Sequence, residues 1–203
     1  MKKNEQPIAV AITGASGSAY ALRLLECLIG AGEAVYLMIS QAGQIVLKME
    51  ADLEVPSQPS EAEKLLSARF GAAPGQLRLF GRQQWLAPVA SGSNPPRAMV
   101  VCPCTTGSLS AIACGASNDL MERAADVVLK ERRKLILVVR ETPFSEIHLE
   151  NMLKLSRMGA IIMPANPGFY HRPENLQQLV DFMVARILDQ LAVPHQLMSR
   201  WGE

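Results

Sequence analysis

Hydroxyl side chains crowd into two small-residue turns, Thr13-Gly14-Ala15-Ser16-Gly17-Ser18 and Thr105-Thr106-Gly107-Ser108, each just past an apolar run. A turn that joins a buried strand to a helix aims unpaired N–H groups and the positive end of the helix dipole above the sheet. Small residues let a phosphate approach that backbone. The first turn is neither G-x-G-x-x-G nor G-x-x-x-x-G-K-[ST], so it is no dinucleotide fingerprint and no Walker A loop. Alone it fits a ligand-free turn or a mononucleotide phosphate site. Ser40 ends another apolar run and has the place of a helix N-cap. Arg140-Glu141 ends a further one. Arg140 offers a planar cation that can stack on a ring or grip phosphate, and Glu141 either pairs with it or handles a proton. Arg123 and Lys130, seven apart, share one helix face, which is either a solvated stripe or an anion contact. His148, His171 and His195 follow no metal or triad spacing and read as surface residues. Cys102-Pro103-Cys104 lacks C-x-x-C spacing and has no His pair, so no metal is expected.

These residues act together only if the scaffold brings them to one edge. Apolar runs at Ile8–Ile12 and at residues 34–39, 98–101, 135–139 and 160–163 read as strands. Helical spacing follows the first turn from Ala19. It recurs at 41–50, 60–66, 109–114, from Asn118-Asp119 to about Arg132, at 147–157, and along the stripe Leu176, Leu179, Val180, Met183, Val184, Ile187 and Leu188. Asp119 and Glu122 are spaced as a capping box. Residues 51–81 are polar and hold only the short helix, and 81–96 are irregular. Strands alternating with helices predict a three-layer, doubly wound, mostly parallel sheet of Rossmann/flavodoxin-like type, a single domain over residues 1–203. In such sheets ligands bind beyond the carboxyl ends of the strands. The five strands end in Thr13 to Ser16, Ser40, Thr105 to Ser108, Arg140-Glu141 and the loop holding Tyr170. Spacing therefore leads to an α/β protein that binds a phosphorylated aromatic cofactor, and no further.

Composition narrows the partners. A chain of 203 residues can bury a full core, and with 5% aromatics that core is aliphatic. A net charge of +1 gives no reason to expect nucleic acid or an acidic membrane surface. No apolar run approaches the roughly 18 residues needed to span a bilayer. The basic start Met1-Lys2-Lys3 is not followed by a signal-peptide core. Four cysteines without a disulfide or metal pattern suit a cytoplasmic protein, with Cys27 as a small buried hydrophobe.

Several blocks carry a resemblance. Thr13 to Gly17, Pro103-Cys104-Thr105, Arg123 to Glu131, Arg140-Glu141-Thr142-Pro143, His148 to Met152, Pro167 to Tyr170, Val184 to Asp189 and Arg200-Trp201 together resemble the flavin prenyltransferase (UbiX) family over nearly the whole chain. The resemblance implies transfer of the dimethylallyl group of dimethylallyl phosphate to N5 and C6 of reduced FMN, without a metal. It implies a product, prenylated FMN, used by a UbiD-type decarboxylase in ubiquinone biosynthesis or a related decarboxylation. It also implies a homo-oligomer, usually a dodecamer, with sites shared between subunits. Gly14, Ala15, Ser16, Ser40, Thr105, Thr106, Gly107, Ser108 and Arg140 match flavin contacts. Thr105 to Ser108 depart from the Ser-x-Lys-Thr of many members, so a lysine contact is lost while the backbone donors remain. Arg123, Lys130, Tyr170 and Arg186 match the prenyl phosphate pocket, and Trp201 an aromatic near the prenyl group. Ser16, Glu50 and Glu141 match polar groups near the reacting atoms. The rivals are an FMN-dependent cysteine decarboxylase, which carries an early catalytic His where this chain has none before His148, and a non-catalytic flavin-binding module.

Overall fold

The computed structural model describes residues 6–200 and residue 202. Six strands form one all-parallel sheet in the order β3-β2-β1-β4-β5-β6, with β1 Ile8–Ile12, β2 Val35–Ile39, β3 Leu77–Phe80, β4 Ala98–Cys104, β5 Lys134–Val139 and β6 Ile161–Ile162. The helices are α1 Ser18–Gly30, α2 Gln41–Ala51, α3 Pro59–Phe70, α4 Thr106–Ala113, α5 Leu120–Lys130, α6 Glu146–Arg157 and α7 Leu176–Leu191, with one 3-10 turn at Pro88–Ala90. Strand order reverses between β1 and β4, and that switch point opens a crevice at their carboxyl ends.

Alternation along the buried strands sorts the core into two layers. Ile8, Val10 and Ile12 face α1, α3 and α7, where Leu24, Leu28, Leu66, Val184 and Ile187 fill the space. Ala9 and Ala11 face the other way with Met99, Val101, Leu135 and Leu137, against Leu109, Ala124, Val128 and Leu155 of α4, α5 and α6. Period-two patterning thus serves both faces at once, as buried parallel strands require.

Three elements differ from the sequence expectation. The stretch 51–81 holds a strand, β3, because Leu77-Arg78-Leu79-Phe80 alternates and pairs with β2 alone. Arg78 is exposed and lies over the rings of Tyr36 and Phe80. The outward Leu79 N–H of this edge strand donates to Glu63 at 2.8 Å, which blunts the open edge. Helix α3 is longer than 60–66 and packs Ala62 and Leu66 inward. Strand β4 continues past residue 101 to Cys104 through a register shift. The Asp119 cap also departs from a capping box. Asp119 accepts from Glu122 N, but Glu122 reaches back to Asn118 N, one residue further out.

Candidate active site

Thr13 stitches the switch point together. Its hydroxyl donates to Pro103 O at 2.6 Å and accepts from Thr105 N at 2.9 Å. The end of β1 is thereby locked to the end of β4 with the side chain buried. On the other side, α2 presses against the first turn. A Cβ on Gly14 would collide with the Ala42 Cβ, and one on Gly43 would lie 2.7 Å from Ile12 O. Only hydrogen fits at either place, so the residue type fixes how closely α2 sits against β1.

Three helix N-termini open on this rim, and their donors are spent differently. At α1 the amides of Gly17 and Ser18 donate to the Glu50 carboxylate at 3.0 and 2.8 Å. Burial pushes the Glu50 pKa up, but hydrogen bonds from the Ser16 hydroxyl and the Ser18 and Gly17 amides outweigh it and hold the group below its ordinary value. A carboxylate from α2 therefore occupies the donors of α1, beside the exposed Ser16. At α2, Ser40 caps by accepting from Gly43 N at 3.0 Å. At α4, the Thr105 hydroxyl accepts from Ser108 N and donates to the Ser108 hydroxyl, both at 3.0 Å. The amides of Gln41, Ala42, Thr106 and Gly107 have no carbonyl four residues back within their helices, so α2 and α4 keep anion-binding donors.

Arg140 stands at the end of β5, where its N–H donates to Cys104 O at 3.2 Å. Its side-chain Nε is buried and has no hydrogen-bond partner among the described residues. A guanidinium N–H taken from water and left unpaired costs roughly 1–3 kcal/mol, so the position favours an acceptor supplied from outside. Glu141 does not pair with it: Glu141 Oε1 accepts from Thr142 N at 3.1 Å.

A second cluster lines an open groove of about 660 Å³ along α7. Tyr170, Phe182, Arg186, Asp189, His195 and Arg200 are among its walls. His171 stacks on Phe182 with centroids 5.6 Å apart. His195 is no surface residue, because its side chain is only 10% exposed and its Nε2 lies 3.1 Å from Asp189. His148 completes the cap of α6 by accepting from Ser145 N. Trp201 lies outside the described residues.

Arg123 and Lys130 fall elsewhere. Arg123 Nε donates to Ala90 O, and its NH1 pairs with Asp126 at 2.8 Å. Lys130 pairs with Glu131 at the end of α5, next to Gly92. Since β5 begins at Lys134 and Arg140 follows its last residue, Lys130 and Arg140 lie at opposite edges of the sheet. Among the described residues no group of three or more His, Cys, Asp or Glu is placed to hold a metal ion, and no helix is long and apolar enough to cross a membrane.

Comparison with known proteins decides the family. A family model described as Flavoprotein matches residues 1–188. A flavin prenyltransferase UbiX of Pseudomonas aeruginosa is 57% identical over 196 residues, spanning 97% of this chain and 94% of the relative. The chain belongs to the flavin prenyltransferase UbiX family. Two solved structures agree. AnUbiX (PadA1), in complex with FMN and dimethylallyl pyrophosphate, superposes with a TM-score of 0.86 at 37% identity over 98% of both chains. A dodecameric FMN-dependent Ubix-like decarboxylase from Escherichia coli O157:H7 gives 0.84 at 37% identity, covering 97% of this chain and 100% of that one. As a UbiX-family member the chain is an enzyme, a flavin prenyltransferase with FMN as its cofactor. The rim fits that group. It offers two helix N-termini for a phosphate and one orphaned guanidinium N–H for a ring or carbonyl edge.

Sequence reasoning missed Thr13 as the stitch, read His195 as a surface residue and gave Asp189 no role. The i, i+3 pairing of Arg186 with Asp189 on α7 was the available signal for the latter.

Proposed function

We propose that this chain, acting as one FMN-binding domain, transfers the dimethylallyl group of dimethylallyl phosphate to N5 and C6 of reduced FMN. The prenylated FMN then serves a UbiD-type decarboxylase, in ubiquinone biosynthesis or a related decarboxylation. The observation that carries the reading is Arg140, a cation at the switch-point rim whose buried Nε lacks an acceptor among the described residues. The free thiols of Cys27, Cys102, Cys104 and Cys114 suit a cytoplasmic setting.

The amides of Gln41, Ala42, Thr106 and Gly107 would take the FMN phosphate, with Ser40 and Ser108 beside them. Gly14, Ala15, Ser16 and Arg140 would line the flavin ring. What FMN supplies is two nucleophilic positions, N5 and C6. Breaking the allylic C–O bond sends negative charge onto the phosphate, and Arg123, Lys130, Arg186 and the Tyr170 hydroxyl would stabilise it there. The Phe182 ring on the groove wall suits a prenyl tail and a developing allyl cation, and Trp201 would join it by the family resemblance alone. Bond formation at N5 and C6 would displace one proton from each, one of which returns to the prenyl double bond, so that one proton leaves overall. Glu50, Glu141 or the departing phosphate would accept it, with the basicity of Glu50 lowered by the hydrogen bonds that hold its carboxylate.

Lys130 and the rim of one chain lie at opposite ends of β5, which supports sites formed between copies. Apolar faces support assembly into such an oligomer, a dodecamer by likeness to the Escherichia coli protein. Ile147, Leu149 and Leu153 of α6 point outward, and Leu86 is fully exposed beside Trp85.

The test is anaerobic incubation of the purified protein with reduced FMN and either dimethylallyl phosphate or its diphosphate. Mass spectrometry is expected to find a flavin carrying one extra five-carbon unit. Unchanged FMN with both donors overturns the proposal. Arg186→Ala is expected to weaken donor use while FMN affinity stays as in the wild type, read by flavin fluorescence titration. Equal loss of both counts against the donor assignment.

A further inference from the structure

Arg186 does not stand alone in its groove. Phe182, Arg186 and Asp189 follow one another at four and three residues along α7 and so share one face. Arg186 NH1 meets Asp189 Oδ2 at 2.7 Å, which leaves the rest of the guanidinium fork for a ligand. The other Asp189 oxygen, Oδ1, is 3.1 Å from His195 Nε2. His195 Nδ1 accepts the Leu197 amide at 3.4 Å. That bond places the imidazole proton on Nε2, which therefore donates to Asp189.

The chain is bent to make this contact. Ala192 closes α7 with φ 55, a left-handed conformation for a residue with a Cβ. The reversal returns the tail along the helix, so that His195 meets a side chain six residues behind it. Leu197 packs onto the core layer behind α7, while Met198, Ser199 and Arg200 form one wall of the groove.

We infer that Asp189 and His195 are positioning residues for the phosphate-binding arginine of the groove. His195 fixes the Asp189 carboxylate, and Asp189 fixes the direction in which Arg186 presents its free N–H edge. The same contact holds the tail against α7 as a wall. The ligand class is a phosphate monoester or diphosphate. The assignment of phosphate to Arg186 rests on the function proposed above, whereas the contacts that orient Arg186 are read from the groove itself.

Charge alone would give the opposite sign. Removing a carboxylate beside an anion site relieves repulsion and tightens phosphate binding, whereas losing an orienting partner loosens it. The experiment uses the full chain with Asp189→Asn, His195→Ala and His195→Gln. It measures binding of inorganic phosphate by calorimetry, KM for dimethylallyl phosphate, kcat, and FMN affinity. Asp189→Asn and His195→Ala are expected to weaken phosphate binding about tenfold and to lower kcat/KM for the donor by at least as much, with FMN affinity within about twofold of the wild type. In His195→Gln the side-chain amide can still donate to Asp189, and most of the affinity returns. Phosphate binding unchanged or tighter in Asp189→Asn overturns the inference. So does a parallel loss of FMN affinity, or a His195→Gln no better than His195→Ala. A wild type that binds phosphate but consumes no prenyl donor overturns the proposed activity instead, and the phosphate measurements then decide the positioning role by themselves.

Discussion

Glu50 shows how a single carboxylate can answer two needs. It closes the N-terminus of α1 from α2, in place of a side-chain cap within the helix itself, since Gly17 has none to offer. Its folded pKa lies below the ordinary carboxylate value of about 4.3. The sign follows from linkage. A depressed folded pKa means that the unfolded chain binds the proton more readily, so the cap stabilises above the unfolded pKa and is lost as pH falls through the folded one. Glu50→Gln is therefore expected to lower unfolding stability at pH 7 by about 1 kcal/mol or less, since the group is largely exposed and solvent-screened. The gap to the wild type closes as the pH drops below about 4. Urea titrations of both proteins at pH 7 and at acid pH check this, and a gap that does not depend on pH removes the charge from the explanation. In the proposed reaction the same contact keeps Glu50 oriented toward Ser16 while lowering its basicity.

Between α2 and β1 the decisive quantity is a missing methyl. Gly43→Ala puts a Cβ 2.7 Å from Ile12 O, so α2 must move off the sheet and take Ser40 and Glu50 with it. A loss of about 1–3 kcal/mol is expected, together with weaker FMN binding. At Gly30, the end of α1, an added methyl would meet nothing within 4 Å, and Gly30→Ala is expected to raise stability by up to about 1 kcal/mol with FMN affinity unchanged. Thermal melts and flavin titrations of the pair test the claim, because the same chemical change should act with opposite sign. The contrast also shows where the sequence was legible. Continuous apolar runs announced β1, β2, β4 and β5, and hydroxyl-bearing turns announced the rim, because burial on both faces and phosphate-sized turns leave strong local patterns. Edge strand β3 left almost none, since four residues with an outward Arg78 resemble a polar loop. Neither the closeness of Gly43 to Ile12 nor the bond between His195 and Asp189 has any local signature. Both depend on chain reversals that only the assembled fold defines.

Arg140 and Lys130 bracket strand β5, whose six residues span about 20 Å. One chain cannot place both cations on a five-carbon phosphate ester. If both serve the reaction, each site draws Lys130 from one copy and Arg140 from another. This makes subunit complementation a sharp test. Lys130→Ala and Arg140→Ala are each expected to lose most prenyl transfer when assembled alone. Co-expressed in equal amounts with different tags and purified through both, the mixed oligomer is expected to recover about a quarter of wild-type activity, because random assembly of two chain types leaves about one site in four with both cations intact. Sites built within a single chain would recover nothing on mixing, since every chain in the oligomer carries one of the two lesions. Sedimentation of the mixed species is needed alongside the assay, so that an absence of recovery is read only where the two chains share an oligomer. A Lys130→Ala oligomer that stays active by itself would mean that this cation is dispensable, and Lys130, held by Glu131 in the isolated chain, would then be the one to reassign.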